Sequence, residues 1–408
     1  MTLDQWLDHA TSLHHQEIDL GLVRIHSIAK TLNIIQLPFP VITIAGTNGK
    51  GSTVTFLESI YRQQGYTVCA VTSPHLLKFN ERLRINGKDV DDARLCAAFE
   101  KVEQARGNTT LTYFEFTHLG LMIIIKEMRP HVAILEIGLG GRLDAVNITE
   151  PHCAVITSIS LDHTDKLGST REAIGFEKAG ILRKNLPFVC GEIDPPKSII
   201  QCAKQQHCKS YYAGHDFLYE KTQKDWSWKT ASIQYSHLTL PSLPLQNAST
   251  ALMTATVMQP LLPVSELSIF KGIAGATLQG RFQKIQKIAL HIIDVAHNPE
   301  SSALLAENIV SENPTGKVIA VFSILKDKDI GETLKPMLPV VTHWFIAPIE
   351  HVERASSIEY LYEAFPDKDC VTKCASLQEA QRCAQALATE KDMVVTFGSF
   401  YTAKSGLQ

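Results

Sequence analysis

The stretch Gly46-Thr-Asn-Gly-Lys-Gly-Ser52, set directly after the β-branched run Val41-Ile-Thr-Ile-Ala45, constrains this chain more than any other feature. A short apolar strand that runs into glycines must turn sharply. From residue 53 to 64 apolar residues then recur at helical spacing, and Gly65 closes the run. Strand, Gly-rich turn and helix in that order make a cradle for an anion. Successive backbone N–H groups converge, the helix N-terminus adds its dipole, and Lys50 can reach a terminal phosphate. Ser52 or Thr53 can offer a hydroxyl to a phosphate-bound magnesium ion. The match to the usual phosphate loop is imperfect, because Gly51 separates Lys50 from Ser52. The loop therefore predicts a nucleoside triphosphate site built on Thr47, Asn48, Gly49, Lys50, Gly51 and Ser52. It does not say which reaction follows.

Further apolar runs of strand length lie at residues 67–71, 132–137, 153–159 and 188–190, with helical patterns between most of them. Such alternation predicts a mostly parallel sheet covered by helices on both faces. Residues 211–244 break the pattern with short polar and aromatic pieces, and read as an antiparallel excursion or insertion. The alternation resumes with strands at 290–295, 318–322, 341–346 and 393–397 and a helix at 299–310. The expected fold is α/β: an N-terminal P-loop-type domain over residues 1–284, a linker at about 285–288, and a Rossmann-like domain over 289–408.

Composition narrows the partners. A net charge of −3 over 408 residues leaves no broad electrostatic footprint for nucleic acid or an anionic membrane. The most apolar stretch, residues 119–125, is far too short to cross a bilayer. The opening Met-Thr-Leu-Asp-Gln-Trp-Leu-Asp does not read as a secretory signal. Nine cysteines with no Cys-x-x-Cys pair suit reduced thiols in a cytoplasm better than a disulfide frame or a zinc site.

Acidic and histidine residues gather where a ligand should sit. Glu136 ends the apolar run 132–137, just before Gly138-Leu-Gly-Gly-Arg-Leu-Asp144. In open α/β sheets ligands bind outside the carboxyl ends of the strands, so this carboxylate should face the site. Asp162-His163-Thr-Asp165 follows the next run and should share that rim. A hard cation on ATP phosphates takes oxygen ligands, which Glu136 supplies; His163 would add a nitrogen, a less usual choice for magnesium. On periodicity alone Lys178 reads as a solvated helical lysine.

Six motifs in order, Gly46–Ser52, Thr72-Ser-Pro-His75, Leu135-Glu-Ile-Gly-Leu-Gly-Gly-Arg-Leu-Asp-Ala145, Asp162-His-Thr-Asp165, Glu177-Lys-Ala-Gly-Ile181 and Asp294-Val-Ala-His-Asn-Pro299, resemble the Mur-type ATP-dependent amide ligases, specifically the dihydrofolate/folylpolyglutamate synthases. Ile18-Asp-Leu-Gly-Leu22 and Phe397-Gly-Ser-Phe-Tyr-Thr402 resemble the same family, so the likeness spans essentially the whole chain. The resemblance implies ATP and two magnesium ions, with a potassium ion left open. Its substrates would be dihydropteroate, reduced folates and L-glutamate, handled by a cytoplasmic monomer. It implies metal ligation by Ser73, Glu136, His163 and a carbamylated Lys178, with Lys50, Lys178 and His163 as the catalytic group. It also implies ATP contacts from Asn247, Arg281, Asp294 and His297, and pterin contacts from Asp19, Leu20, Thr112, Phe114, Asp144 and Ala145.

The chain departs from the family pattern at Val146, Lys166, Phe176 and Gln279, none of them a proposed ligand. Three other readings compete. A cell-wall ligase would need a separate nucleotide-binding domain of about a hundred residues before the loop, and Gly46 leaves no room for one. A kinase would need no amine, and a non-catalytic nucleotide-binding regulator would have lost the metal and phosphate residues that this chain keeps. Within the family, a folylpolyglutamate synthase without first-step activity is the alternative.

Overall fold

The chain opens with two helices, α1 (Leu3–Ser12) and α2 (Val23–Leu32), before its first strand, β1 (Val41–Ala45). Then follow α3 (Lys50–Gln63), β2 (Val68–Val71), the hairpin β3 (Leu83–Ile85) and β4 (Lys88–Asp89), α4 (Asp92–Arg106), α5 (Tyr113–Met128) and β5 (Val132–Glu136). Next come β6 (Cys153–Ile156), α6 (Thr164–Leu167), α7 (Arg171–Ala179), β7 (Pro187–Cys190), α8 (Lys197–Gln205) and β8 (Lys209–Tyr212). The computed structural model describes residues 1–350, 352 and 354–407. Contacts divide the chain into Met1–Thr277 and Leu278–Gln408.

In the first unit eight strands form one sheet in the order β4-β3-β2-β5-β1-β6-β7-β8. The six strands from β2 to β8 in that order are parallel, and the β3–β4 hairpin adds an antiparallel edge that the sequence pattern did not disclose. Side chains alternate across a strand, so each strand serves two layers. Cys69, Val71, Ala133, Leu135, Ala154 and Ile156 join one core with Trp6, Ile25, Leu95 and Phe116 of α1, α2, α4 and α5. The opposite residues Ile42, Ile44, Val68, Ala70, Val132 and Ile134 are equally buried, and α3 packs over β1, β2 and β5. Glu136 shares the parity of Val132 and Ile134, which assigns it to the α3 layer at the carboxyl end of its strand.

The unplaced stretch 211–244 resolves into β8 and a three-stranded antiparallel sheet of β9 (Phe217–Lys221), β10 (Asp225–Thr230) and β11 (Gln234–Thr239). Its aromatics are structural. Trp226 and Trp228 are fully buried, and Tyr235 stacks on Trp228 at 5.9 Å. The Trp228 indole N–H donates to Ser249 Oγ, 3.1 Å away on α9 (Leu245–Met258). Helix α10 (Glu266–Gly275) closes the unit.

The second unit is a six-stranded sheet in the order β12-β13-β17-β14-β15-β16, parallel except for β12. Its strands are β12 (Gln283–Gln286), β13 (Leu290–Ile293), β14 (Val318–Phe322), β15 (His343–Ile346), β16 (Val371–Lys373) and β17 (Met393–Phe397). The helices α11 (Pro299–Ser311), α12 (Ile330–Leu334), α13 (Ile358–Glu363), α14 (Leu377–Leu387) and α15 (Phe400–Leu407) accompany them. Residues 285–288 fall at the β12–β13 hairpin of this sheet. Among the described residues, no helix of either unit is long and apolar enough to cross a membrane.

Helix α5 is buried from Glu115 to Ile125, and His118 lies within that stretch with its Nε2 unpartnered. Burial holds its imidazole neutral, pushing the pKa down to about 3. A histidine whose folded pKa is depressed binds its proton more readily when unfolded, so it costs stability as pH falls below 6.5. Replacing His118 by Leu should therefore stabilise the protein at pH 5 relative to pH 8 by about 2 kcal/mol. Urea unfolding of both proteins at the two pH values measures it; an equal difference at both would contradict a neutral buried imidazole.

Candidate functional site

The phosphate loop leaves β1 at Ala45 and is fastened to the segment after β6. Thr47 N–H donates to Ser158 O at 2.8 Å and Asn48 N–H to Ser158 Oγ at 3.1 Å. Thr157 Oγ1 donates to Asn48 O at 2.6 Å, while Thr47 Oγ1 accepts from Ser160 N–H at 3.1 Å. These four bonds brace the loop on the segment after β6. Helix α3 then starts at Lys50 with Gly49 as its N-cap and no side-chain cap, which suits an anion at its first turn. Gly49 has φ +81°, a left-handed conformation that disfavours any Cβ. A Cβ there would also lie 2.3 Å from Asn247 Oδ1. This close approach brings Asn247, on the first turn of α9, onto the loop.

Two ammonium groups converge on one carbonyl. Lys50 Nζ donates to Gly46 O at 3.0 Å and to Thr47 O at 3.0 Å, and Lys178 Nζ reaches Gly46 O at 2.8 Å from α7. Lys178 is 4% exposed. Burial chiefly, and then the charge of Lys50, lowers its pKa to about 7; Asp162 and Asp144 oppose the shift. The periodicity reading of Lys178 as a solvated charge is therefore corrected. Helix α7 supplies the position, but its neighbours decide the burial.

The other rim residues assemble in the same unit. Register pairs Glu136 with Ile44 of β1, and Glu136 Oε2 accepts the Ser73 N–H at 3.1 Å. His163 takes a left-handed conformation (φ 50°) as N-cap of the single turn α6, with its N–H donating to Asp162 Oδ1 at 2.9 Å. Among the described residues, no three His, Cys, Asp or Glu side chains converge as metal ligands. The donor set therefore suits an oxygen-preferring cation only if Ser73 and an anionic oxygen on Lys178 join Glu136 and His163.

A second group lies around the first turn of α5. Thr112 caps that helix in a capping box, with its N–H donating to Glu115 Oε2 at 2.7 Å. Phe114 reaches Gly138, where a Cβ would fall 2.7 Å from the ring and 3.3 Å from Asp144 Oδ2. Asp144 is buried; its two oxygens accept Leu139 N–H at 2.7 Å and Val146 N–H at 2.9 Å. Burial outweighs these bonds and the Lys50 charge, raising its pKa to about 6. Ala145 follows, buried. Asp19 joins through Arg24, which donates to Asp19 Oδ2 at 2.5 Å and to Glu115 Oε1 at 3.2 Å. Leu20, half-buried, is the next residue along.

Within the second unit, Asp294 follows β13 and its oxygens accept Phe282 N–H and Ala296 N–H, each at 2.7 Å. Burial raises its pKa, against the opposing charge of Arg281. The Arg281 guanidinium lies 5.7 Å from the Phe400 ring centre, and the His297 ring lies 6.2 Å from it. The bracing by Thr157, Ser158 and Ser160 and the Arg24 bridge were not anticipated, whereas Asp162 was expected on this rim. For the braces the one signal was Thr157 and Ser158 at the end of the expected run 153–159, with Ser160 directly after it.

Family models match at residues 44–254, as the Mur ligase middle domain, and at residues 280–400, as the Mur ligase glutamate ligase domain. The dihydrofolate synthase/folylpolyglutamate synthase of Escherichia coli is 41% identical over 401 residues, covering 98% of this chain and 93% of the relative. Its Haemophilus influenzae counterpart is 38% identical over 422 residues, covering 98% and 95%. Among solved structures, E. coli FolC in complex with DHPP and ADP superposes with a TM-score of 0.96 at 40% identity, covering 100% of this chain and 97% of that one. The Yersinia pestis bifunctional enzyme complexed with AMPPNP and Mn gives 0.94 at 39%, covering 99% and 97%.

Gly49→Ala should cost about 1–2 kcal/mol for its left-handed backbone alone, plus the clash with Asn247. Adding Asn247→Gly should recover the clash and leave the backbone part. Urea melts of the parent, both single variants and the double variant measure both; a double variant as stable as Asn247→Gly alone would show that the positive φ costs nothing here.

Proposed function

This chain belongs to the dihydrofolate synthase/folylpolyglutamate synthase family of Mur-type ligases, and we infer that it works as one. It is an ATP-dependent amide ligase that adds L-glutamate to 7,8-dihydropteroate, giving dihydrofolate, and further glutamates to reduced folates. The observation that carries the residue assignment is the buried Lys178 amine beside the phosphate loop, on the same carbonyl as Lys50.

A carboxylate is a poor acyl donor. Its oxygen attacks the γ-phosphorus of ATP, the bond to ADP breaks, and an acyl phosphate results. The neutral α-amine of glutamate attacks the acyl carbon, an N–H proton is lost, and phosphate leaves with the electron pair of the C–O bond. The protein's task is to hold the reactants in line and neutralise charge. Thr47, Asn48, Gly49, Lys50, Gly51 and Ser52 cradle the phosphates, with Asn247, Arg281, Asp294 and His297 as further ATP contacts. Asp19, Leu20, Thr112, Phe114, Asp144 and Ala145 hold the pterin: the Phe114 ring suits a flat heterocycle and buried carboxylates suit its N–H groups.

Lys178 gains its role through a pKa near neutrality. Part of it is the free amine at pH 7, able to add CO2 and lose a proton, so that a cation becomes a carbamate. Ser73, Glu136, His163 and that carbamate would hold magnesium, which when bound neutralises the transferring phosphoryl group. The compartment we assign is the cytoplasm, in keeping with nine cysteines in the free state. A monomer is expected, which light scattering would check.

Purified protein with ATP, magnesium and glutamate should release ADP only when dihydropteroate or a reduced folate is added, with dihydrofolate formed in the first case. Release with reduced folate alone would mark a polyglutamate synthase, and ATP binding without release a regulator. Lys178→Ala should lower the rate by about a hundredfold or more, as expected for loss of a metal-site anion. Native mass spectrometry in bicarbonate should find wild type, and not the variant, heavier by one CO2.

A further inference from the structure

The loop between α1 and α2 carries Asp19 and Leu20, yet its backbone does little to hold it. Among the described residues, residues 14–21 take part in no backbone–backbone hydrogen bond. Side chains hold it instead. Arg24 Nη1 donates to Asp19 Oδ2 at 2.5 Å, while its Nη2 donates to Asp19 O at 2.9 Å and to Glu115 Oε1 at 3.2 Å. His14 adds a second tie, with Nε2 3.1 Å from Asp19 Oδ2 and Nδ1 3.1 Å from Thr110 Oγ1.

The placing of Arg24 runs against local helix rules. It sits in the first turn of α2, where a cation opposes the helix dipole, and α2 has neither a side-chain cap nor an acidic residue there. Its Nε is buried without a partner, so the fork is aimed by its other acceptors. Glu115 in turn is fully used: buried, it caps α5 with Oε2 and takes Arg24 with Oε1. One guanidinium thus joins the loop to the helix turn that bears Thr112 and Phe114.

We propose that Arg24 is a positioning residue for the pterin acid, a clasp that fixes Asp19 and Leu20 against the first turn of α5. This rests on the reading of Asp19, Leu20, Thr112 and Phe114 as substrate contacts. A planar fork can serve two carboxylates and a carbonyl together, which the single ammonium of lysine does not reproduce. Arg24→Lys keeps a cation beside buried Glu115 while losing the shared geometry.

In the full chain, Arg24→Lys should raise KM for dihydropteroate about tenfold, leaving KM for ATP, kcat and the melting temperature nearly unchanged. Thr110→Val cuts the second tie at an exposed hydroxyl and should raise the same KM about twofold. An unchanged KM for dihydropteroate in Arg24→Lys, or an equal rise for ATP, overturns the clasp. Should Arg24→Lys fail to fold, Thr110→Val decides on the same criterion. Wild-type protein that releases no ADP with dihydropteroate would instead overturn the underlying substrate assignment.

Discussion

The Gly46 carbonyl is the point on which the site depends. It directly follows β1 and accepts from both Lys50 and Lys178. Two amino groups on one carbonyl, one of them buried, make this a region that favours added negative charge. A triphosphate supplies it from one side, and a carbamate on Lys178 would supply it from the other. Burial chiefly, and then the Lys50 charge, poise Lys178 near neutrality, while Asp162 and Asp144 stand close enough to pull the other way.

That carbonyl is where it is because of the parallel sheet. The carboxyl ends of β1, β5 and β6 lie side by side, with Ile44 opposite Glu136 and Ala45 opposite Ile156. Loop braces, metal-ligand candidates and phosphate loop therefore come from neighbouring strands over a short distance. Side-chain alternation then selects which residues meet the α3 layer. Glu136 faces it because Ile134 does, and Leu135 faces the core because Ala133 does. A shift of β5 by one residue would turn the carboxylate into a hydrophobic layer.

Much of this was legible in the sequence. The run Val41–Ala45 and the glycines after it announced the strand, loop and helix, and strand-end logic placed Glu136. The β3–β4 hairpin was opaque because two short strands carry too little periodicity. Lys178 was opaque for another reason: helical spacing says which face a residue is on, but not what covers that face. The aromatic stretch after Tyr211 gave no partner because Trp228 finds its hydrogen bond on α9, beyond the sheet itself.

A subtler signal lies in the helix caps. Among the described residues ten helices begin with a side-chain cap: α1, α4, α5, α7, α10 to α14, and α15, where Ser399 Oγ accepts the Thr402 N–H. Five lack one: α2, α3, α6, α8 and α9. Four of these five begin at the candidate site, with Arg24, the phosphate loop, His163 and Asn247; α8, which follows Pro196, is the exception. A cap is worth about 1 kcal/mol, so sequences that omit it forgo stability that is easily had. At α3 the omission leaves N–H donors for an anion, and at α2 it admits a cation whose acceptors lie elsewhere. The pattern does not extend to α5, where the capping residue Thr112 is itself a candidate pterin contact.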